Sequence, residues 1–335
     1  MNIGNFEIPN NVFLAPMAGV TDLPFRQLCR RFGVGMVTGE MTASDATLRH
    51  TRKSRLRGVH LEEPAPRSIQ IVGWDPDTMA DAARYNVDQG ASVIDINMGC
   101  PAKKVYKRFA GSALLADESL VARILEKVVS AVEVPVTLKT RTGVDPEHKN
   151  GVRIAKIAES SGIACLAMHG RTRACGYRGK AEYRTVKAVK EAISIPVIVN
   201  GDLNSAETVR RVLDETRADG VMIGRSANGA PWFPGQVAQF LSTGVFPNPP
   251  NLNQQREIVL SHLTEIYHFY GAFQGVRIAR KHIKWYTLNL PGSQTFRNLA
   301  NRLDAPDDQW KAVDAFYLKL LDEKSALQLS PQSQP

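Results

Sequence analysis

"VIDINMGCPAKK", residues Val93–Lys104, begins as a β-strand and ends as a reactive loop. Ile94, Ile96 and Met98 make one alternating set wholly apolar and Val93 opens the other, which reads as a strand within a buried sheet. Strands buried on both faces belong to parallel sheets covered by helices. The run stops at Gly99, and a thiol, a proline and two lysines follow at Cys100, Pro101, Lys103 and Lys104.

The same plan recurs along the chain. Apolar, β-branched stretches start at Val12 (VFLAP), Met36 (MVTGE), Ser68 (SIQIVG), Val134 (VPVTLKTR), Ala164 (ACLAMHGR), Ile195 (IPVIVNG) and Gly220 (GVMIGR). Each closes in a polar or glycine-bearing turn. Helical segments lie between them. "WDPDTMADAARYNVDQG" offers Asp75 as N-cap, Pro76 at the first helical position and Gly90 as the stop. "TDLPFRQLCRRFG" repeats the arrangement with Thr21 or Asp22, Pro24 and Gly33. Strands alternating with helices predict a parallel sheet, and eight such units predict an α/β fold of the (β/α)8 TIM-barrel type, whose core takes about 250 residues. The competing doubly wound sheet calls for a G-x-G-x-x-G turn after its first strand. The nearest approach, "GVGMVT" from Gly33, precedes a strand and ends in threonine.

Around "STGVFPNPPN" (Ser242–Asn251) the composition turns to proline, glycine and asparagine, the mark of a linker. Four helical patterns follow, "QQREIVLSHLTEIYHFYG", "GVRIARKHIKWYTLNL", "TFRNLANRL" and "DQWKAVDAFYLKLLDEK". The expected organisation is a barrel over 1–241, a linker over 242–251, a small all-helical bundle over 252–326 and a disordered tail over 327–335.

With 43% hydrophobic and 22% charged residues in 335, the chain has the composition of a globular protein. It shows no N-terminal basic-then-apolar leader and no apolar run near 18 residues, so neither a signal peptide nor a membrane span is expected. Cys29, Cys100, Cys165 and Cys175 show no C-x-x-C spacing, which argues against zinc and against a disulfide framework and for a reducing, cytoplasmic setting. The net charge of +9 favours a polyanionic partner. The charge is concentrated in "RHTRKSRLR" (Arg49–Arg57), "KKVYKR" (Lys103–Arg108), "RTRACGYRGKAEYR" (Arg171–Arg184) and "RIARKHIK" (Arg277–Lys284). The plain reading of each run is a solvated face; four together point to nucleic acid.

In a TIM barrel the reactive groups lie where strands end. Those ends read Pro16-Met17-Ala18, Glu40, Gln70, Asn97 with Cys100, Lys139 with Arg141, His169, Asn200-Gly201-Asp202 and Gly224-Arg225. The glycine-bearing ends of the last two strands suit a phosphate, because backbone N–H groups approach an anion closely there. Lys139 interrupts an apolar strand, and a buried lysine is costly unless paired, so a functional partner such as an electron-rich cofactor ring is expected. His169 suits either ligand contact or a plain hydrogen bond to backbone. Cys29, on a helix, and Cys165, inside a strand, read as core; Cys175 stays open. Cys100 is different. It sits at a strand mouth among lysines with no histidine beside it, which disfavours a protease-like nucleophile and favours a thiol that donates a proton.

At these residues the chain resembles the tRNA-dihydrouridine synthase family, and most of all its bacterial B-type branch. The resemblance covers about residues 1–320 and rests on "APMAGVTDLPFR", "DINMGCPAKKV", "GSALL", "VTLKTRTG", "HGRTRACGYRGKAEY", "NGD", "MIGRSANGAPW" and "RIARKHIKWY". It implies FMN across the barrel top. Pro16, Met17 and Ala18 would flank the ring, with Gln70, Lys139 and His169 near the isoalloxazine. Asn200, Gly201, Asp202, Gly224 and Arg225 would hold the ribityl phosphate. NADPH reduces the flavin in this family, with NADH an open alternative. Hydride then passes to C6 of an extruded tRNA uridine, uridine 17 of the D-loop for the B-type branch, and the cysteine, here Cys100, protonates C5. Asn97 and Arg141 would contact the uracil. Lys103, Lys104, Arg171, Arg173, Arg277, Arg280 and Lys281 are the expected tRNA contacts. The chain is read as a monomer without metal or membrane. Two rival readings remain: a dihydroorotate- or dihydropyrimidine-dehydrogenase-like enzyme acting on a free pyrimidine, and a non-catalytic RNA-binding protein on a relic barrel.

Overall fold

The computed structural model describes residues 1–106 and 109–329. The eight strands are β1 (Val12–Leu14), β2 (Met36–Val37, resuming at Thr42–Ala43), β3 (Ser68–Val72), β4 (Val93–Met98), β5 (Val136–Arg141), β6 (Cys165–His169), β7 (Val197–Asn200) and β8 (Gly220–Ile223). All neighbours pair in parallel, β8 returns to β1, and β1 pairs with the first half of β2. The resumed half of β2 pairs with β3, and a bridge between Thr38 and Ser68 joins the interrupted strand to the same neighbour. The ring therefore closes as the barrel expected from the alternating pattern. Chain order and spatial order coincide around it, as a succession of βα units requires.

Local sequence sets the helix starts. Asp22 caps the helix Leu23–Arg31 by accepting from the Phe25 N–H, and Asp75 caps Pro76–Asp88 by accepting from Thr78. A two-strand hairpin, Asn2–Ile3 with Phe6–Glu7, precedes β1 and lies outside the sequence expectations. Its Ile3, together with Ile8, packs with Phe13, Met36, Val93, Cys165, Ile198 and Met222, so the hairpin's apolar face completes the barrel core. Cys165 is buried in this cluster, and Cys29 is buried on the helix Leu23–Arg31.

By internal contacts the chain falls into two units. One holds Met1–Ser226 with Pro234–Phe246; the other holds Ala227–Phe233 and the chain from Pro247 onward. The second contains the helices Leu252–Tyr270, Ala272–Thr287, Ser293–Ala300 and Pro306–Leu329. Val259, Leu263, Ile266, Val276, Ala279, Ile283, Val313 and Tyr317 form its interior. Asn251 starts the first of these helices through a reciprocal capping box with Gln254. Boundaries differ from expectation in small ways. The helix Phe233–Thr243 takes the first two residues of the stretch read as linker, and Pro306–Leu329 runs three residues into the stretch read as tail. "SALQL" is made of helix-tolerant residues, and the breaker, Pro331, comes only afterwards. Residues 330–335 of that tail lie outside the described residues. Among the described residues no helix is long and apolar enough to cross a membrane.

Candidate active site

Strand register builds the site in rows. Gln70, Asp95 and Thr137 are direct neighbours across β3, β4 and β5; Asn97 and Lys139 form the next row; Arg141, His169 and Asn200 form the last, at the C-terminal mouth. The first rows carry a chain of buried hydrogen bonds. Thr137 Oγ1 donates to Asp95 Oδ1 at 2.6 Å, and Gln70 Nε2 donates to Asp95 Oδ2 at 2.7 Å. Asn97 Nδ2 donates to Gln70 Oε1 at 2.7 Å. Asn97 Oδ1 then accepts from the N–H groups of Gly99 and Cys100 at 3.1 and 2.9 Å.

This chain ends on the cysteine. The Cys100 carbonyl accepts from Ser112 Oγ at 2.8 Å and from the Ser112 N–H at 3.2 Å. Arg141 Nε donates to the adjoining Gly99 carbonyl at 2.6 Å. Both backbone polar groups of Cys100 are thus tied, while its side chain stays half-buried and free of any disulfide. Lys139 and Arg141 lie within electrostatic reach of the thiol.

Burial holds Lys139 down to about 8, with the Arg141 charge adding to the effect and Asp95 and Cys100 opposing it. Its ammonium donates to Asn200 Oδ1 at 2.9 Å, and Asn200 Nδ2 donates to the Met222 carbonyl. Burial raises the Asp95 carboxyl to about 6 against the pull of Thr137, Gln70 and Lys139. His169 is pushed down to about 2 by burial and then by Lys139, Arg141, Arg171 and Arg225. It is therefore neutral at pH 7. Arg171 Nη1 approaches His169 Nε2 at 3.2 Å, and because a guanidinium only donates, the histidine carries its proton on Nδ1.

At the ends of β7 and β8 the backbone N–H groups of Gly201, Asp202, Gly224 and Arg225 make no hydrogen bond among the described residues. Gly201 has φ +120°, and a Cβ there would lie 2.7 Å from His169 Cδ2 and 2.9 Å from Ala181 Cβ. A Cβ on Gly224 would meet only Ala15 Cβ at 3.6 Å and Met17 Sδ at 3.7 Å. Asp202 accepts from Arg171 Nη2 at 2.6 Å and from Arg225 Nη2 at 3.1 Å, which fixes both cations beside those N–H groups. Unpaired N–H groups, a glycine-lined approach and a half-exposed arginine are what a phosphate needs. Pro16, Met17 and Ala18 follow β1 and are partly open to solvent. Their loop is held by Thr21 on Met17 and by Glu40, which accepts from the Gly19 N–H and from Arg57. These residues fit a flavin mononucleotide: a phosphate cradle at β7 and β8, and Lys139, Gln70 and neutral His169 further along the mouth. Among the described residues no group of three or more His, Cys, Asp or Glu is placed to hold a metal ion.

The expected RNA contacts separate. Lys103 and Arg277 are exposed, the latter stacked on Phe273 at 4.2 Å. Arg173 and Lys281 are half-buried and have partners. Two of the expected cations are engaged within the fold. Arg171 is only 4% exposed, committed to Asp202 and to the Arg178 and Gly179 carbonyls, because the loop after β6 folds over it. Arg280 is held by the Leu303 carbonyl and Asp304, bracing one helical loop. The side chain of Lys104, and residues Lys107 and Arg108 of the same run, lie outside the described residues.

Comparison with known proteins settles the family. The dihydrouridine synthase family model matches residues 13–323. The chain belongs to the dihydrouridine synthase family. Its membership makes it a flavin-dependent oxidoreductase, as the sequence resemblance implied. It is 54% identical over 317 residues to tRNA-dihydrouridine synthase B of Pseudomonas aeruginosa, covering 95% of this chain and 96% of that one. The protein of the same name from Xanthomonas axonopodis is 56% identical over 309 residues, covering 92% and 93%, and that from Shewanella oneidensis 51% over 321 residues, covering 96% and 99%. Among solved structures, histamine dehydrogenase from a Rhizobium species superposes with TM-score 0.55 at 13% identity over 96% of this chain, which spans 64% of that one; this likeness concerns the fold.

Sequence reasoning passed over Asp95, Thr137, Ser112 and Tyr177. Asp95 carried a usable signal, a carboxylate inside an apolar strand that must find partners. Tyr177 carried none. Its exposed ring is placed only by the folded loop, with the Arg141 and Arg225 guanidinium carbons 5.5 and 5.2 Å from its centroid.

Proposed function

We propose that this chain is a tRNA-dihydrouridine synthase that works as a cytoplasmic monomer, holds FMN over the barrel mouth, takes electrons from NADPH and reduces the C5–C6 bond of uridine 17 in the tRNA D-loop. The observation that carries the reading is Cys100, half-open at the mouth, with both backbone polar groups tied and two cationic side chains near its thiol. The names of relatives more than 50% identical over nearly the whole chain support tRNA as substrate.

A reduced flavin held at this mouth would supply the hydride needed at C6 of the uracil. Cys100 delivers the matching proton to C5, and the thiolate left behind faces the charges of Lys139 and Arg141 before it regains a proton from water. Lys139, held by Asn200, carries positive charge at pH 7 and offsets negative charge on the reduced ring. The Nδ1–H of His169 would orient the ring, and Gln70 would meet it with an amide already held by Asp95 and Asn97. Gly201, Asp202, Gly224 and Arg225 would hold the flavin's phosphate. Arg141 would offer Nη2 to the uracil, since Nε and Nη1 are bonded to the Gly99, Thr172 and Gly176 carbonyls. A uracil inside folded RNA must first be extruded, which calls for broad contact with phosphates and 2′-hydroxyls. The exposed cations Lys53, Arg55, Lys103, Arg178 and Arg277 supply such contacts.

The test is a single-turnover reaction of the NADPH-reduced holoenzyme with unmodified tRNA, and separately with free uracil. Dihydrouridine in tRNA supports the reading; turnover of the free base alone overturns it. Cys100→Ala should leave flavin and tRNA binding intact and slow product formation by about 10²-fold, the scale of a positioned acid. An unchanged rate removes Cys100 from its role.

A further inference from the structure

The active-site reading uses Gln70, Asn97 and Cys100 but leaves unexplained a buried carboxylate behind them. We propose that Asp95 is a positioning residue: held by Thr137, it fixes which way the Gln70 and Asn97 amides face, and so holds the backbone of Cys100 in one orientation. This rests on the reading of Cys100 as the proton donor.

The argument is one of donors and acceptors. An ionised carboxylate only accepts. Asp95 Oδ2 therefore requires the Nε2 end of Gln70, 2.7 Å away. That choice turns Gln70 Oε1 toward Asn97, which must then offer Nδ2, also at 2.7 Å. Asn97 Oδ1 is left facing the two N–H groups of Gly99 and Cys100. Each amide is set by the one before it. Reversing the series would aim an NH2 group at two backbone N–H donors and leave all of them unsatisfied in a site where Gln70, Asp95 and Asn97 are 1%, 5% and 8% exposed. Asp95 is the only member of the series that cannot be turned round, because both its oxygens accept. It touches no reacting atom and acts through the amides.

The satisfiability logic singles out a pair of substitutions. Asp95→Asn alone keeps the series: Thr137 can rotate its hydroxyl to accept from the new amide, leaving Asn Oδ1 toward Gln70. Thr137→Val alone also keeps it, since Asp95 still presents only acceptors. In the double variant only the Gly99 and Cys100 N–H groups still orient the series, so it is anchored at one end and not two, and reversed arrangements become more accessible. Two readouts follow. The first is hydrogen–deuterium exchange of the Gly99 and Cys100 amides, which needs no activity. The second is single-turnover reduction of tRNA, with KM for tRNA and the rate of flavin reduction by NADPH measured alongside. Thr137→Val should stay within about 3-fold of wild type in both readouts and Asp95→Asn within about 3-fold in exchange, its rate also carrying the loss of charge beside Lys139. The double variant should exchange those amides about 10-fold faster and slow tRNA reduction by about 10-fold, with the tRNA KM and the NADPH step unchanged. The charge lost in Asp95→Asn, which also bears on Lys139, cancels when the double variant is compared with that single one. Effects that combine as the product of the singles, or that merely follow thermal stability, overturn the proposal. If wild type reduces no tRNA, the functional reading fails, while the exchange cycle still decides whether Asp95 sets the series.

Discussion

Two glycines at the mouth invite the same substitution and should answer it differently. Gly201→Ala adds a methyl at φ +120°, 2.7 Å from His169 Cδ2, 3.0 Å from His169 Nε2 and 2.9 Å from Ala181 Cβ. The backbone conformation alone costs about 1–3 kcal/mol for a residue with a side chain. Overpacking adds about 1–3 kcal/mol, because relief requires moving His169 off its bond with Arg171. A total of about 2–6 kcal/mol corresponds to a fall of roughly 4–24 °C in Tm for a unit of this size. Gly224→Ala meets nothing closer than 3.6 Å and takes no left-handed φ, so its Tm should stay within about 2 °C of wild type. Its methyl, however, lies beside Met17 in the space assigned to the cofactor, and FMN affinity should fall about tenfold, a loss of about 1.4 kcal/mol. Apo-protein prepared by mild removal of flavin, scanned thermally and titrated with FMN by fluorescence quenching, reads both quantities. Gly201→Ala with a wild-type Tm would refute the close-packing argument. Gly224→Ala with wild-type FMN affinity would refute the assignment of the β8 end to the cradle.

Other outcomes follow from charge. Lys139 sits at about 8, so it is protonated below that value and loses its charge above it. Single-turnover reduction of tRNA should therefore decline as pH rises through about 8, and Lys139→Arg, which does not titrate there, should remove that limb; a limb unchanged in the variant excludes Lys139 as its cause. In the helical unit His282 is fully buried and burial lowers its pKa well below the ordinary value. A base with a lowered folded pKa contributes fully above about pH 6.5, its unfolded value, and loses that contribution as pH falls below it. The stability of that unit should thus fall on acidification from pH 7 to 5, and His282→Phe should flatten the slope measured by urea denaturation. Arg277→Glu should weaken tRNA binding and shrink the slope of log affinity against log salt by about one or more. Arg280→Glu should instead lower Tm, because its partners are Leu303 and Asp304 within the helical unit. Equal effects of the two on tRNA affinity with no change in Tm would contradict that division.

The amino-acid order by itself determined the eight strand–helix units, their punctuation and the strand ends at which chemistry gathers. These are local matters. Apolar runs such as Val93–Met98 state their own burial, and caps such as Asp75 act within three residues of themselves. The exceptional thiol was legible for the same reason, being the cysteine that follows a strand and precedes lysines. What the sequence left open was decided by register across strands. Asp95 meets Gln70 and Thr137 only because β3, β4 and β5 align those residues side by side, over 25 and 42 positions of chain. Closure of the barrel likewise sets Arg171, one of the cations expected to meet RNA, in a buried pair with Asp202, 31 residues away. A cation's position along the chain does not say which carboxylate the fold will set beside it. Tertiary structure alone separates the arginines that brace loops from those left for a ligand, because ion pairing over such separations depends on closure of the barrel and not on any neighbouring residue.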